Sequence, residues 1–292
     1  GQLPVQQGID VIHEQFAGRH LVLGIDMVQN FSDVDLKFLA FEKFLRKNPQ
    51  YLKSVVFVEI LVTTPEKWPE TNAAELVEVR RDILNLAARL NARFSVAPDQ
   101  QILQVIEYKQ QQLTLAKRTK WLAAADTLLC TPVREGFNRI PLEFVLAQHF
   151  GCGSSSVRAP AKNAVSTTPS NSNRSIDIVH KGPGALVLSE VCSCSRVLQG
   201  ALTINPASQD EMLDALESVL TMGPVERRSR NDVNAAWVNR WTTSKWATAV
   251  LSNLNTVPKK AKFQSLGLGE SSVVLCVCVC VACDCVCVAG DT

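Results

Sequence analysis

The chain has 292 residues, of which 46% are hydrophobic and 20% are charged. This composition is typical of a folded protein with one large or two small domains, and it excludes a disordered tail or a disulfide-rich miniprotein. The 30 Lys and Arg residues against 28 Asp and Glu residues give a net charge of +2, so no electrostatic argument predicts binding to nucleic acid or to a membrane surface.

Strands and helices alternate along the main body. Strands are predicted at residues 21–25, 55–62, 102–106, 127–131, 185–188 and 201–204, and helices at 36–47, 73–94, 113–125, 139–150 and 210–222. This alternation predicts an α/β fold, a Rossmann-like doubly wound parallel sheet with helices on both faces. Ligands bind such sheets at the carboxyl ends of the strands, so we expect functional residues just after Ile25, Cys130 and Leu188.

Two stretches do not follow this pattern. Residues 151–184 are rich in Ser, Asn, Pro and Gly, and they predict a disordered insertion between a helix and the next strand. Residues 256–292 predict a disordered low-complexity tail, so the folded domain is expected to span residues 1–255.

Cysteine is unevenly distributed. Six of the ten cysteines lie between Cys276 and Cys287, where they alternate largely with valine. This run is too short to cross a bilayer, and alternation places its thiols on one face of a strand, which disfavours a soft-metal thiolate cluster. We interpret it as a translated GT-dinucleotide repeat, because GT repeats encode Val and Cys in alternation.

The other four cysteines and the four histidines lack the spacing of metal ligands, so no metal site and no cofactor are predicted. With no secretory signal pattern, we expect a cytoplasmic protein with free, mostly buried thiols.

A glycine-containing segment, TPVREGFNRIPLE at residues 131–143, follows the predicted fourth strand and begins a helix. Gly136 permits a tight turn or close approach of a ligand to the backbone, and the free N–H groups of the helix start can hold a diphosphate. Glu143 lies eight residues after Glu135, about two turns into the helix, where a carboxylate suits a pair of ribose hydroxyls. Without other evidence, two such carboxylates are more often a helix-start residue and a solvated residue than a sugar-binding site.

This segment resembles the T-x-x-R-D-G-M-N-L-x-x-x-E pattern of the trehalose-6-phosphate synthase family of retaining GT-B glycosyltransferases. Residues 23–49, with LGID, KFLAFEKFL and NP, are similar to the family's LGVD…K-x-x-A-x-E-x-x-L…P block. Residues 189–206 are similar to its SEF-x-G-x-x-x-x-L-x-G-A-x-x-V-N-P block. The three blocks occur in the family's order, and the resemblance covers roughly residues 5–255, the C-terminal nucleotide-sugar half of a GT-B fold.

The resemblance implies retaining transfer of glucose from UDP-glucose to glucose 6-phosphate in trehalose biosynthesis, without a required metal. It also implies association with other trehalose-synthesis subunits. Carried over position by position, it implies a donor site at Arg134, Glu135, Gly136, Phe137, Asn138, Arg139, Ile140 and Glu143. Glu135 to Asn138 would contact the sugar and diphosphate, Arg139 and Ile140 the nucleotide, and Glu143 the ribose. No catalytic residue is assigned.

Two of the departures from the active family remove a positive charge; Asp33 for Gly, Glu135 for Asp and Arg139 for Leu are others. Met27 and Ser32 stand where that family has an Arg and a Lys that neutralise the donor diphosphate. Loss of two cationic contacts is expected to cost about 2–5 kcal/mol of leaving-group stabilisation. Plant class II homologues share the missing Arg and the Ser-rich insertion, and the chain is closest in style to them.

Three hypotheses therefore stand. In the first, the chain is a synthase-like donor domain, a fragment that lacks the acceptor domain and is inactive in isolation, because half of a GT-B enzyme cannot align donor and acceptor. In the second, it is a catalytically degenerate regulatory or scaffold homologue. The third, an unrelated nucleotide-binding α/β domain, is disfavoured because no G-x-G-x-x-G follows the first strand.

Overall fold

The computed structural model describes residues 3–27, 34–62, 73–94, 106–111, 113–133, 135–151 and 182–256. In chain order the helices and strands are α1 (Leu3–Gln15), β1 (His20–Met27), α2 (Val34–Lys47), β2 (Val55–Val62), α3 (Ala73–Phe94), β3 (Ile106–Gln111), α4 (Leu115–Ala124), β4 (Thr127–Cys130), α5 (Ile140–Gly151), β5 (Ala185–Ser189), β6 (Leu202–Ile204), α6 (Gln209–Thr221), α7 (Pro224–Arg240) and α8 (Thr243–Thr256). Single 3₁₀ turns lie at Pro49–Tyr51 and Ser193–Arg196.

The described strands form one parallel six-stranded sheet in the order β3-β2-β1-β4-β5-β6. The chain moves outward in one direction from β1 and in the other from β4, so the strand order reverses between these two strands. A crevice opens at such a switch point, at the carboxyl ends of the strands. The predicted doubly wound α/β fold is confirmed.

Helices cover the sheet in two groups. α2 packs against α3 and α6, whereas α4 packs against α1 and α5. With right-handed crossovers, the two groups lie on opposite faces of the sheet. The residues of β2 from Val55 to Leu61 are buried without alternation, as expected for a central parallel strand covered on both sides. On one face, Phe38 and Phe41 of α2 each pack 5.5 Å from the ring of Phe57 of β2, measured between centroids.

The position of the third strand differs from the prediction. It was expected at residues 102–106, but β3 spans Ile106–Gln111, and residues 102–105 lie outside the described part of the chain. The prediction rested on the apolar run at 102–106, whereas β3 as described has the largely polar sequence IEYKQQ. Among the described strands, β3 lies at the edge of the sheet and pairs with β2 alone, and such a position accepts polar residues.

The chain divides into two compact units, residues 1–237 and residues 238–292. The first contains the sheet; in the second, the described residues are the end of α7 and α8. The predicted insertion, apart from its first residue and its last three, and the tail after residue 256 lie outside the described residues, and the boundary at 255 stays a prediction. In the described ranges, no helix has the length and apolar character needed to cross a membrane.

Candidate functional site

The loop from β4 to α5 lies at the carboxyl end of β4, beside the switch point. Asn138 organises this loop with both ends of its amide. Its Nδ2 donates to Glu135 Oε2 at 2.8 Å and to Cys130 Sγ at 3.4 Å, and its Oδ1 accepts from the Ile140 backbone N–H at 2.8 Å. Asn is well suited to this bond with the first N–H of a helix. Asn138 therefore joins the strand end, the predicted site loop and the helix start.

A second loop, which follows β5, is hydrogen-bonded to the loop from β4 to α5. The Ser193 backbone N–H donates to the Gly136 carbonyl at 3.2 Å, and the Ser193 hydroxyl donates to the same oxygen. The Cys194 thiol donates to the Asn138 carbonyl at 3.0 Å. The structure thus brings together the loops after Cys130 and after Leu188, two of the three positions at which the sequence predicted functional residues.

The chain bends at Gly136, but this bend does not require a glycine. Its φ is not in the left-handed region, and a Cβ added there would meet no atom within 4 Å. The expectation that remains is close approach of a ligand, because Gly136 is exposed and the space that a side chain would occupy there is open. Phe137 beside it is 66% exposed, so its ring is available for contact with a bound molecule.

Glu143 lies in the first turn of α5, not about two turns into the helix as predicted, because α5 begins only at Ile140. Two arginines contact its carboxylate. Arg118 of α4 donates through Nε to one carboxylate oxygen and through Nη2 to the other, the latter at 2.8 Å. Arg139 Nη2 lies 3.4 Å from Glu143 Oε1. α4 and α5 run in the same direction beside β4, so their first turns meet at the carboxyl edge of the sheet. Sequence reasoning missed Arg118; helical spacing places it in a first turn, but nothing in the sequence identifies its partner.

A buried ionic cluster lies at the end of β1. Lys37 of α2 is fully buried and donates to Asp26 of β1, while its Nζ lies 4.0 Å from Glu59 Oε2 of β2. Gly24 makes room for it, since a Cβ there would be 2.0 Å from Glu59 Oε2. In the sequence Lys37 is only one residue of a block that resembles the family, and no sequence signal identifies Glu59.

The charges of this cluster affect the pKa of Glu135 in the loop from β4 to α5. Burial raises the pKa of Glu135 and the negative charge of Asp26 adds to the rise, whereas the hydrogen bond from Asn138 and the charge of Lys37 lower it. Lys37 therefore belongs to the electrostatic surroundings of the candidate site, although its side chain is closed to solvent.

Three free cysteines, Cys130, Cys192 and Cys194, are buried beneath the two loops. Burial is the main cause that raises the pKa of Cys130. Interaction with the Cys194 thiol lowers the pKa of Cys192 to about 7, and the same interaction together with burial raises the pKa of Cys194. No group of three or more His, Cys, Asp or Glu side chains in the described ranges is arranged to hold a metal ion.

The remaining predicted positions lie partly outside the described residues. Met27 ends β1, at the edge of the crevice, and nothing is described of its side chain. Arg134 and Ser32 fall outside the described ranges, so their roles stay predictions.

Comparisons with known proteins agree with the resemblance. The sequence profile of glycosyltransferase family 20 matches residues 2–256. The probable alpha,alpha-trehalose-phosphate synthase (UDP-forming) 2 of Arabidopsis thaliana is 29% identical over 265 residues, which is 89% of this chain and 27% of that protein. The alpha,alpha-trehalose-phosphate synthase (UDP-forming) of Botryotinia fuckeliana is 24% identical over 91% of this chain and 43% of its own length.

Solved structures show the same likeness. The crystal structure of alpha,alpha-trehalose 6-phosphate synthase from Burkholderia multivorans superposes with a TM-score of 0.69 at 25% identity, over 88% of this chain and 47% of that chain. The chain thus spans 27% to 47% of the length of these three relatives.

Proposed function

Because the chain belongs to glycosyltransferase family 20, we propose that it is the donor-binding half of a trehalose-6-phosphate synthase-like enzyme. Its ligand is UDP-glucose, from which glucose passes with retention to glucose 6-phosphate. The chain spans less than half of the length of the three relatives named above, so the proposal for this chain is donor binding, and transfer belongs to a protein that also holds the acceptor.

One observation carries the proposal: the family-like loop and Glu143 lie together at the switch point of the sheet. Open α/β sheets bind nucleotides there, with phosphates near helix starts. In this arrangement Glu143 accepts hydrogen bonds from the ribose hydroxyls. Gly136 lets the diphosphate approach the backbone, and Asn138 holds the loop in place for the sugar.

Calorimetric titration of the purified chain with UDP and UDP-glucose tests donor binding. We expect saturable heat with both ligands, and weaker binding by Glu143→Gln, because an amide keeps the size of the side chain but loses its charge. Absence of heat with the wild type at millimolar ligand would refute the proposal. The proposal includes no metal or other cofactor, so EDTA is expected to leave the affinity unchanged.

A second candidate is a degenerate homologue that regulates or supports other trehalose-synthesis subunits. The charges at the site favour it. Lys37, Arg118 and Arg139 each lie against a carboxylate, so much of their charge is already neutralised, and Met27 replaces a cation of the active family. Nucleotide binding without formation of trehalose 6-phosphate by the full-length protein would favour this candidate, and rapid formation would exclude it.

The proposed compartment is the cytoplasm. Its support is that the three described cysteines of the sheet domain are free and buried, as is typical of proteins in a reducing environment.

A further inference from the structure

We infer that Arg118 is a positioning residue that fixes the Glu143 carboxylate for a ribose diol. This inference rests on the proposed function, because it concerns how the proposed nucleotide would be held. Arg118 lies outside all three blocks that resemble the family, in the helix before β4.

The geometry is that of a two-pronged guanidinium–carboxylate contact. Nε and Nη2 of Arg118 each bond a different oxygen of Glu143. Such paired bonds fix the plane and direction of a carboxylate, which a single lysine ammonium does not do. Glu143 would otherwise have three side-chain torsions to order when a ligand arrives.

The contact leaves acceptor capacity for a ligand. A carboxylate has about four lone-pair sites, and the fork of Arg118 uses one on each oxygen. The Glu143 side chain is 23% exposed and that of Arg118 is 13% exposed, so part of the Glu143 side chain is accessible to solvent while the arginine is mostly covered. Two oxygens held side by side match the two O–H donors of a ribose diol.

Arg139 does not duplicate this role. It approaches one oxygen of Glu143 from the same helix at 3.4 Å, and its own side chain is 34% exposed. A contact of this kind contributes charge but little direction. Orientation therefore depends on Arg118, which reaches Glu143 from a neighbouring helix.

The chain contains a matched control pair elsewhere. Glu42 of α2 also lies between two arginines, Arg46 four residues on at 3.1 Å and Arg93 of α3 at 3.0 Å. Arg93→Leu thus removes an inter-helix arginine from a carboxylate that has no part in the proposed site. It controls for the general effect of such a deletion on the fold.

The test compares UDP with 2′,3′-dideoxy-UDP, which lacks the diol. For the wild type we expect UDP to bind about tenfold more tightly than the dideoxy compound, the effect of hydrogen bonds to a charged acceptor. In Arg118→Leu this ratio is expected to fall below about twofold, with the affinity for dideoxy-UDP unchanged. Arg118→Lys should lower the ratio as well, and Arg93→Leu should keep it.

The outcomes separate the two claims. If the wild type binds neither compound, the proposed function fails. If it binds UDP but the ratio is close to one, or if Arg118→Leu keeps the wild-type ratio, nucleotide binding stands and the role of Arg118 is refuted. An equal fall in Arg93→Leu also refutes it. If Arg118→Leu does not fold, Arg118→Lys decides: a lowered ratio supports the inference, and an unchanged ratio overturns it.

Discussion

Replacement of Lys37 by methionine isolates the contribution of the buried charge at the end of β1. Methionine has a similar length and packs well in cores, so the main change is the loss of the ammonium. That ammonium is fully buried, contacts Asp26, whose side chain is 11% exposed, and lies 4.0 Å from the fully buried Glu59. Without it, two carboxylates stay in a poorly solvated place and lose a shared cation.

Breaking a buried pair by removing one partner costs about 3–5 kcal/mol, and we expect this loss of unfolding free energy for Lys37→Met. The matched control is Lys43→Met, on the same helix. Lys43 pairs with Asp210 at 2.5 Å, but the two side chains are 44% and 78% exposed, and the expected cost is below about 1 kcal/mol.

Urea-induced unfolding, followed by tryptophan fluorescence and circular dichroism, measures both variants. A lower midpoint with an unchanged slope reports lost stability. Adding Glu59→Gln to Lys37→Met should recover part of the loss, since it removes one of the two carboxylate charges. The reasoning is refuted if Lys37→Met costs no more than Lys43→Met.

Four further predictions concern the site and its supports. Gly136→Ala should keep the urea midpoint, since its Cβ meets nothing within 4 Å, but weaken UDP-glucose binding in calorimetry; unchanged affinity would contradict ligand approach there. Gly24→Ala, whose Cβ would lie 2.0 Å from a Glu59 oxygen, should lower the midpoint, and an unaltered midpoint would exclude that crowding. Gln148→Leu removes hydrogen bonds to the carbonyls of Leu122 and Ala125, at the end of α4, and to the N–H of Gly184, just before β5. The expected loss of unfolding free energy in urea is about 2–4 kcal/mol, and a loss below about 1 kcal/mol would argue against it. Burial raises the pKa of Glu135 above 4.5, so the folded state binds this proton more readily than the unfolded state, and stability falls as the pH rises through the raised pKa. Glu135→Gln should therefore be more stable than the wild type at neutral pH, and equally stable below the pKa that Glu135 has in the unfolded chain. Lower stability of the variant at neutral pH would contradict the direction of this pKa shift.

Much of the fold could be predicted because its signals are local. The helix predicted at 73–94 has the observed bounds Ala73–Phe94, and the strand predicted at 55–62 is Val55–Val62. Both are long, strongly patterned segments. β3 was misplaced because an edge strand need not be apolar, and whether a strand lies at the edge depends on the order of the whole sheet.

Some residues of the candidate site could likewise be predicted from the sequence, and others could not. The loop after β4 and the helix start were found from their order after a strand, whereas the individual residues Glu135 to Asn138 and the role of Glu143 came from the family resemblance. Their roles in donor binding stay predictions. Arg118 was missed because it is 25 residues from Glu143, and Ser193 because it bonds Gly136 from 57 residues away.

By itself, then, the sequence determined the alternation of strands and helices, the family and the position of the glycine-containing loop, because hydrophobic period and motif order are properties of neighbouring residues. The tertiary structure alone decided which charges meet. Lys37 lies against Asp26 and close to Glu59, and Arg118 against Glu143, because parallel strands from distant parts of the chain end, and the helices after them begin, at one edge of the sheet. Partners of buried charges depend on that convergence, and no local pattern encodes it.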